Sequence, residues 1–137
     1  MTIYIAAKYP RRDEMRHVRT KLQIAGFTVT SRWLDETSPL DSTLSESTPR
    51  SCQRTAIIDL EDVDRADTFL FFSEDSLVGV PRGGRHVEMG FALAKGKRII
   101  VIGDPENIFH YLPGIIHYPT LDSFLEWESF RNDPATH

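Results

Sequence analysis

The chain has 137 residues, about the length of one ordinary domain. With 40% hydrophobic and 26% charged residues it has a soluble globular composition, its net charge of −4 and pI near 5.7 speak against bulk nucleic-acid binding, and its apolar runs are too short to span a bilayer. A single cysteine, Cys52, excludes an internal disulfide and fits a reducing cytoplasm.

TIYIAA (2–7) is a short apolar run that follows Met1 directly, without a basic n-region, and reads as a first strand rather than a signal peptide. Residues 11–27 carry Met15, Val18, Leu22 and Ala25 at helical spacing, with Gly26 as the stop. FTVTSRWL (27–34) alternates and is rich in β-branched residues, which predicts a second strand. DETSPLDSTLSESTPR (35–50) is polar throughout and predicts a long loop of the kind that serves as a lid.

Residues 52–66 predict a helix with Ala56, Leu60 and Val63 on one face. TFLFFS (68–73) is nearly continuous in apolar residues, as expected of a strand covered on both sides. A glycine-rich loop (74–84), a helix (86–96) and a second buried strand, RIIVIG (98–103), follow. DPENIFHYLPG (104–114) is a connection with room for one helical turn. IIHY (115–118) is a short last strand, and 120–130 a final helix with Leu121, Phe124, Leu125 and Phe130 apolar. This alternation predicts a single α/β domain over 1–137, a three-layer sandwich around a five-stranded parallel sheet in the flavodoxin/Rossmann-like order 2-1-3-4-5. Such sheets bind ligands beyond the carboxyl ends of their strands, an edge holding the residues after Ala7, Leu34, Ser73 and Gly103, the lid loop and the glycine turn 79–84.

Several side chains at that edge carry candidate chemistry. Glu88 lies near a helix start between Gly83, Gly84 and Gly90. The plain reading is a carboxylate complementing the helix dipole; the functional one is an ionised, uncovered nucleophile. Asp59 belongs to the acidic stretch Asp59, Glu61, Asp62, Asp64, Asp67, which reads largely as a solvated helix face. Its neighbours Ile57, Ile58 and Leu60 set Asp59 apart as a partly buried carboxyl of raised pKa, suited to donate a proton. Tyr4 faces away from Ile3 and Ile5, either as core packing or with its hydroxyl aimed at a carboxylate. Lys8, Arg11, Arg12, Arg82 and Arg85 sit on two loops at the same edge, as solvated cations or as a phosphate site. GVPRGG is neither a Walker loop nor a GxGxxG turn, and histidines 17, 86, 110, 117 and 137 lack metal-ligand spacing, so no cofactor or metal is expected.

Taken together, these segments resemble the nucleoside 2-deoxyribosyltransferase superfamily, which includes the 2′-deoxynucleoside 5′-monophosphate N-glycosidases. TIYIAA resembles the family's opening strand with its Tyr after Ile. DLEDVDRAD resembles the Asp-Leu stretch before the third strand, and VEMGFALAKGKRIIVI the Glu-x-Gly-x-Ala signature. The resemblance implies Glu88 as the nucleophile, Asp59 as the acid and Tyr4 as the group that orients Glu88. From their place at the ligand edge, substrate contacts are expected from Ala7, Lys8, Arg11, Arg12, Trp33, Gly79, Arg82, Gly83, Gly84 and Arg85. Two positions depart from the transferases. Arg82 stands where they carry an acidic residue six positions before the nucleophile, and their base-contacting Gln has no clear equivalent near Trp33, Asp35 and Glu36. The hydrolase branch also lacks that acid and holds a 5′-phosphate, a task open to Arg82 and Arg85 here.

The implied activity is cleavage or transfer of an N-glycosidic bond in a nucleoside or its 5′-monophosphate, in a cytoplasmic homo-oligomer, with residues 107–113 and the last helix as the donated surface. No nucleic-acid or membrane partner is implied. Three alternatives stay open: a 2′-deoxynucleoside 5′-monophosphate N-hydrolase, a nucleotide-binding module of the same fold without turnover, and a glycohydrolase acting on NAD or a related dinucleotide.

Overall fold

The computed structural model describes residues 1–36, 49–74 and 83–132. Five parallel strands form one sheet: β1 (Thr2–Ala6), β2 (Thr28–Val29), β3 (Thr68–Phe72), β4 (Arg98–Ile102) and β5 (Ile116–Tyr118), in the order β2-β1-β3-β4-β5. The helices are α1 (Arg12–Ile24), α2 (Pro49–Arg65), α3 (Gly84–Ala94) and α4 (Leu121–Asn132). On one face Phe27, just after α1, stacks on Phe124 of α4 at 5.9 Å, and Lys21 reaches Asp122 at 3.8 Å. On the other face α2 packs against α3. The result is the expected three-layer α/β sandwich.

The central strands are apolar because both their faces are covered. All five residues of β3 are buried, as are Ile99 to Ile102 of β4. Each such large side chain contributes roughly 1.5–3 kcal/mol through burial. Met15, Val18 and Leu22 make up the buried stripe of α1, at the spacing that defines its helical period. Ala25 and Ala56, expected on buried helix faces, are exposed.

The second strand departs from its sequence pattern. Alternation predicts a strand over 27–34, yet the sheet ladder includes only Thr28 and Val29, and Arg32–Asp35 turns into a 3-10 helix. Side chains replace the missing rungs. Ile5 donates its amide to Ser31 Oγ at 2.7 Å, and Trp33 Nε1 donates to the Ile5 carbonyl at 2.9 Å. Once a hydroxyl and an indole satisfy these groups, the backbone is free to turn away. Tyr9–Arg11 forms a 3-10 turn ahead of α1, and α2 begins at Pro49, inside the expected loop. Residues 37–48 of the expected lid lie outside the described residues.

The switch point falls between β1 and β3, whose register pairs Tyr4 with Phe69. The two rings stack at 5.6 Å, and the Tyr4 hydroxyl reaches Glu88 of α3, so Tyr4 points to the α2/α3 side while Ile3 and Ile5 point to the other. At the far end of β4 the chain bends through Gly103 (φ 108°), where an added Cβ would meet Ser73 Cβ at 3.0 Å. Only glycine lets the β3 and β4 ends approach so closely.

Candidate functional site

Three segments remote in sequence meet above the switch point. Tyr4 comes from β1, Asp59 from α2 and Glu88 from α3. The buried Tyr4 hydroxyl donates a hydrogen bond to Glu88 Oε2. Burial pushes the Tyr4 phenol well above its ordinary value, and the charges of Glu88 and Asp59 add to the effect, so Tyr4 stays a donor. Asp59 is half-buried, and its Oδ1 is enclosed with no hydrogen-bond partner among the described residues. An enclosed polar atom of this kind is costly unless something else completes it.

Glu88 differs from its expected state. α3 starts at Gly84, with Gly83 as N-cap in the left-handed region (φ 84°), and Val87 N–H already bonds the Gly83 carbonyl at 3.1 Å. Glu88 is therefore past the first turn, beyond the free amides that would hold it ionised. Burial raises its pKa to about 8; the Tyr4 hydrogen bond opposes this and the charge of Asp59 adds to it. Gly90, two residues on, lies on another side of the helix and is exposed, so it does not open the approach to Glu88. Burial also lifts Asp59 to about 7, with Asp62 and Glu36 adding to the rise and Arg32 opposing it. The site thus holds two neighbouring carboxyls that titrate near neutrality, with a tyrosine donating to one of them.

Most of the rim cations have internal partners. Arg11 bonds Glu14 at 2.6 Å, Glu74 at 2.7 Å and the Ser73 carbonyl at 3.2 Å. Arg12 reaches Tyr9 Oη and the Glu36 carbonyl. Ala7 and Lys8 are half-buried at the end of β1. Trp33, implied as a substrate contact, is buried with its indole N–H spent on Ile5. Arg85 is the clearest departure. It is 6% exposed, lies over the Phe71 ring at 4.7 Å, and forms a fork on Glu106 at 2.6 and 3.0 Å with a further bond to the Phe72 carbonyl. Its guanidinium pins α3 to the segment after β4. Gly83 and Gly84 form the N-terminus of α3, while Gly79 and Arg82 lie outside the described residues. Among the described residues no group of three or more His, Cys, Asp or Glu side chains is arranged to hold a metal.

Sequence reasoning assigned Arg85 to a ligand and did not single out Glu106 or Asp62. Arg85→Ala is therefore expected to act on stability. Removing one partner of a buried pair costs about 3 kcal/mol, or roughly 10 °C in Tm for a chain of this size. Thermal melts, with kcat/KM on a nucleoside and its monophosphate, check this. A selective rise in KM for the monophosphate at unchanged Tm would return Arg85 to the ligand.

The fold is shared with two solved enzymes. The 2-deoxyribosyltransferase of Bacillus psychrosaccharolyticus matches with a TM-score of 0.66 and 19% identity, over 99% of this chain and 95% of that one. The CMP N-glycosidase of Clostridium botulinum matches with a TM-score of 0.56 and 20% identity, over 94% and 98%. No protein-family model and no curated protein matches the sequence. At these identities the likeness is one of fold, and it extends over nearly the whole of each chain. Among the described residues no helix is long and apolar enough to cross a membrane.

Proposed function

We propose that the protein is an enzyme that breaks or transfers the N-glycosidic bond of a nucleoside or its 5′-monophosphate through a covalent glycosyl-Glu88 intermediate. The observation that supports it most is the Tyr4–Glu88 hydrogen bond beside Asp59, whose enclosed Oδ1 has no hydrogen-bond partner among the described residues. The fold likeness to a deoxyribosyltransferase and a CMP N-glycosidase agrees with it.

The chemistry follows from the two carboxyls. As the C1′–N bond breaks, its electron pair goes to the base and positive charge grows on the sugar. An ionised Glu88 stabilises that charge and closes on C1′, as the nucleophile of a retaining glycosidase does. Asp59 gives its proton to the departing base. A water or a second base then attacks C1′, returns a proton to Asp59 and frees Glu88. The Tyr4 hydroxyl holds one Glu88 oxygen and leaves the other for the sugar.

The reactive form needs one proton on the pair, carried by Asp59. With the carboxyls at about 7 and about 8, kcat/KM falls on both sides of a narrow optimum, and the two limbs belong to the pair. Tyr4→Phe keeps the ring packed on Phe69 and removes only the hydroxyl. Since that bond lowers the Glu88 pKa, its loss moves the ionisation of Glu88 and the optimum to higher pH, with turnover reduced by roughly tenfold, as for one lost hydrogen bond to a charged group. An unchanged profile would show that the hydroxyl does not serve Glu88.

The reading is tested by incubating the protein with a panel of nucleosides and 5′-monophosphates, with and without a second base, and separating the free bases by chromatography. Release without acceptor identifies a hydrolase; exchange only with acceptor identifies a transferase. Saturable ligand binding with no base release from any member would overturn the catalytic reading. Assembly into a homo-oligomer is part of the proposal, supported by exposed Ile108, Phe109 and Tyr111 after β4 and Trp127 on α4. Light scattering during size-exclusion chromatography reads it.

A further inference from the structure

The acidic stretch after Asp59 reads in sequence as a solvated face, yet Asp62 is 0% exposed. Three donors hold its carboxylate: Arg32 N at 2.8 Å, Arg32 Nε at 2.9 Å and Arg65 Nη2 at 2.5 Å. Its carbonyl also accepts from Thr30 Oγ1 at 2.8 Å. The Arg32 and Thr30 bonds tie α2 to the chain just after β2, while Arg65 lies on α2 itself. Asp59 and Asp62 are three residues apart on one helix, so they occupy the same face one turn apart. Arg32 and Arg65 are themselves exposed and approach from the solvent side.

A buried carboxylate with this many anchors has two effects on its neighbour. It fixes the rotation of α2 and so the direction of Asp59. It also places a negative charge beside a carboxyl whose enclosed Oδ1 has no donor of its own among the described residues. We propose, resting on the glycosidic reading above, that Asp62 is a positioning residue for Asp59, fixing both its placement and its charge state so that the leaving base meets an acid. Among the described residues, the elements around Asp59 contribute Asp62 from α2 itself, Glu36 and Arg32 from the segment after β2, Glu88 from α3 and Tyr4 from β1. Asp62 and Glu36 favour the neutral acid, and Arg32 opposes them. After the proton has gone to the base, Asp59 is a carboxylate next to a carboxylate. That arrangement favours its recovery of a proton from the incoming water or base in the second half-reaction.

The test uses the folded full chain with carbon-13-labelled carboxyls. In a Glu88→Gln background the Asp59 signal titrates without its catalytic partner. Adding Asp62→Asn, which keeps an oxygen for Arg32 and Arg65 but removes the charge, is expected to lower the Asp59 midpoint by about one unit, as for loss of a close like charge. Adding Arg32→Met instead is expected to raise it. With Glu88 restored, the acidic limb of kcat/KM, which follows the lower-titrating Asp59, is expected to move with the same signs. A merely structural Asp62 would not give opposite shifts from the two variants. An Asp59 midpoint unmoved by Asp62→Asn, or moved in the same direction by both changes, would overturn the proposal. Should Asp62→Asn fail to fold, the Arg32→Met shift decides alone, and no rise there overturns it. The midpoints are read without substrate, so a protein that releases no base still reports on Asp62. Failure of the glycosidic reading and failure of this role therefore show in separate measurements.

Discussion

Glu88→Gln is expected to abolish base release and, at pH 8, to make the protein more stable. The first effect follows from the loss of the nucleophile: the amide cannot form the glycosyl ester, and losses of roughly 10⁴–10⁶-fold accompany removal of a covalent nucleophile. The second follows from burial. Glu88 keeps its proton in the native state up to about pH 8, while the unfolded chain loses it above the ordinary 4.5. Between these values the native state binds more protons, so this group's stabilising contribution is full below 4.5 and is lost as pH rises through 8. The slope is about 1.4 kcal/mol per pH unit for one proton. Glutamine has no such proton to lose. Urea melts of both proteins at pH 5, 6.5 and 8 should diverge as pH rises; parallel curves would mean that Glu88 is not held protonated. A 2-fluoro-substituted substrate analogue should leave a sugar adduct on Glu88, seen by mass spectrometry, and an adduct elsewhere would sink the mechanism.

Asp59→Asn is expected to lower turnover by roughly 10²–10⁴-fold, the range for a lost general acid. The size should depend on the base. A base that leaves readily needs little protonation, so its substrate loses least. An equal loss for good and poor leaving groups would make Asp59 a structural residue, and a steady-state series over bases of graded basicity separates the cases. The substitution also removes a half-buried carboxyl whose charge raises the pKa of Glu88. The pH at which Glu88 ionises should therefore fall as activity falls.

The fold was readable where one physical signal dominated. TFLFF and RIIVI are unbroken apolar runs, and both are five-residue strands covered on two faces. The second strand was misread because Ser31 and Trp33 look like alternating strand residues, whereas their side chains take over the hydrogen bonds of Ile5. The trio Tyr4, Asp59 and Glu88 was recognisable by resemblance to a family, and the Tyr4–Glu88 bond agrees with that grouping. Its protonation was not recognisable. A glycine-flanked glutamate looks uncovered in a linear sequence, and the helix start four residues earlier shows only in three dimensions. Arg85 carries the same lesson. Its partner Glu106 is 21 residues on, across a strand, and no local pattern tells a guanidinium awaiting phosphate from one already satisfied. Asp62 left one faint trace, its place three residues after Asp59 and next to the buried Val63.

The lengths of the strands carry a consequence for self-association. The three inner strands have five residues each, while the two at the margins, β2 and β5, have two and three. A margin this short offers almost no row of unpaired amides on which a second chain could extend the sheet. Among the described residues these margins disfavour ribbon-like polymerisation of the native protein and leave helix and loop surfaces for association between native copies. The hazard moves to partly unfolded states. If β2 and its turn detach, β1 loses a neighbour, and a five-residue stretch rich in β-formers becomes a template for cross-β pairing. Loosening the Ser31 and Trp33 anchors would therefore promote fibre growth more than an equal loss of stability at the helices.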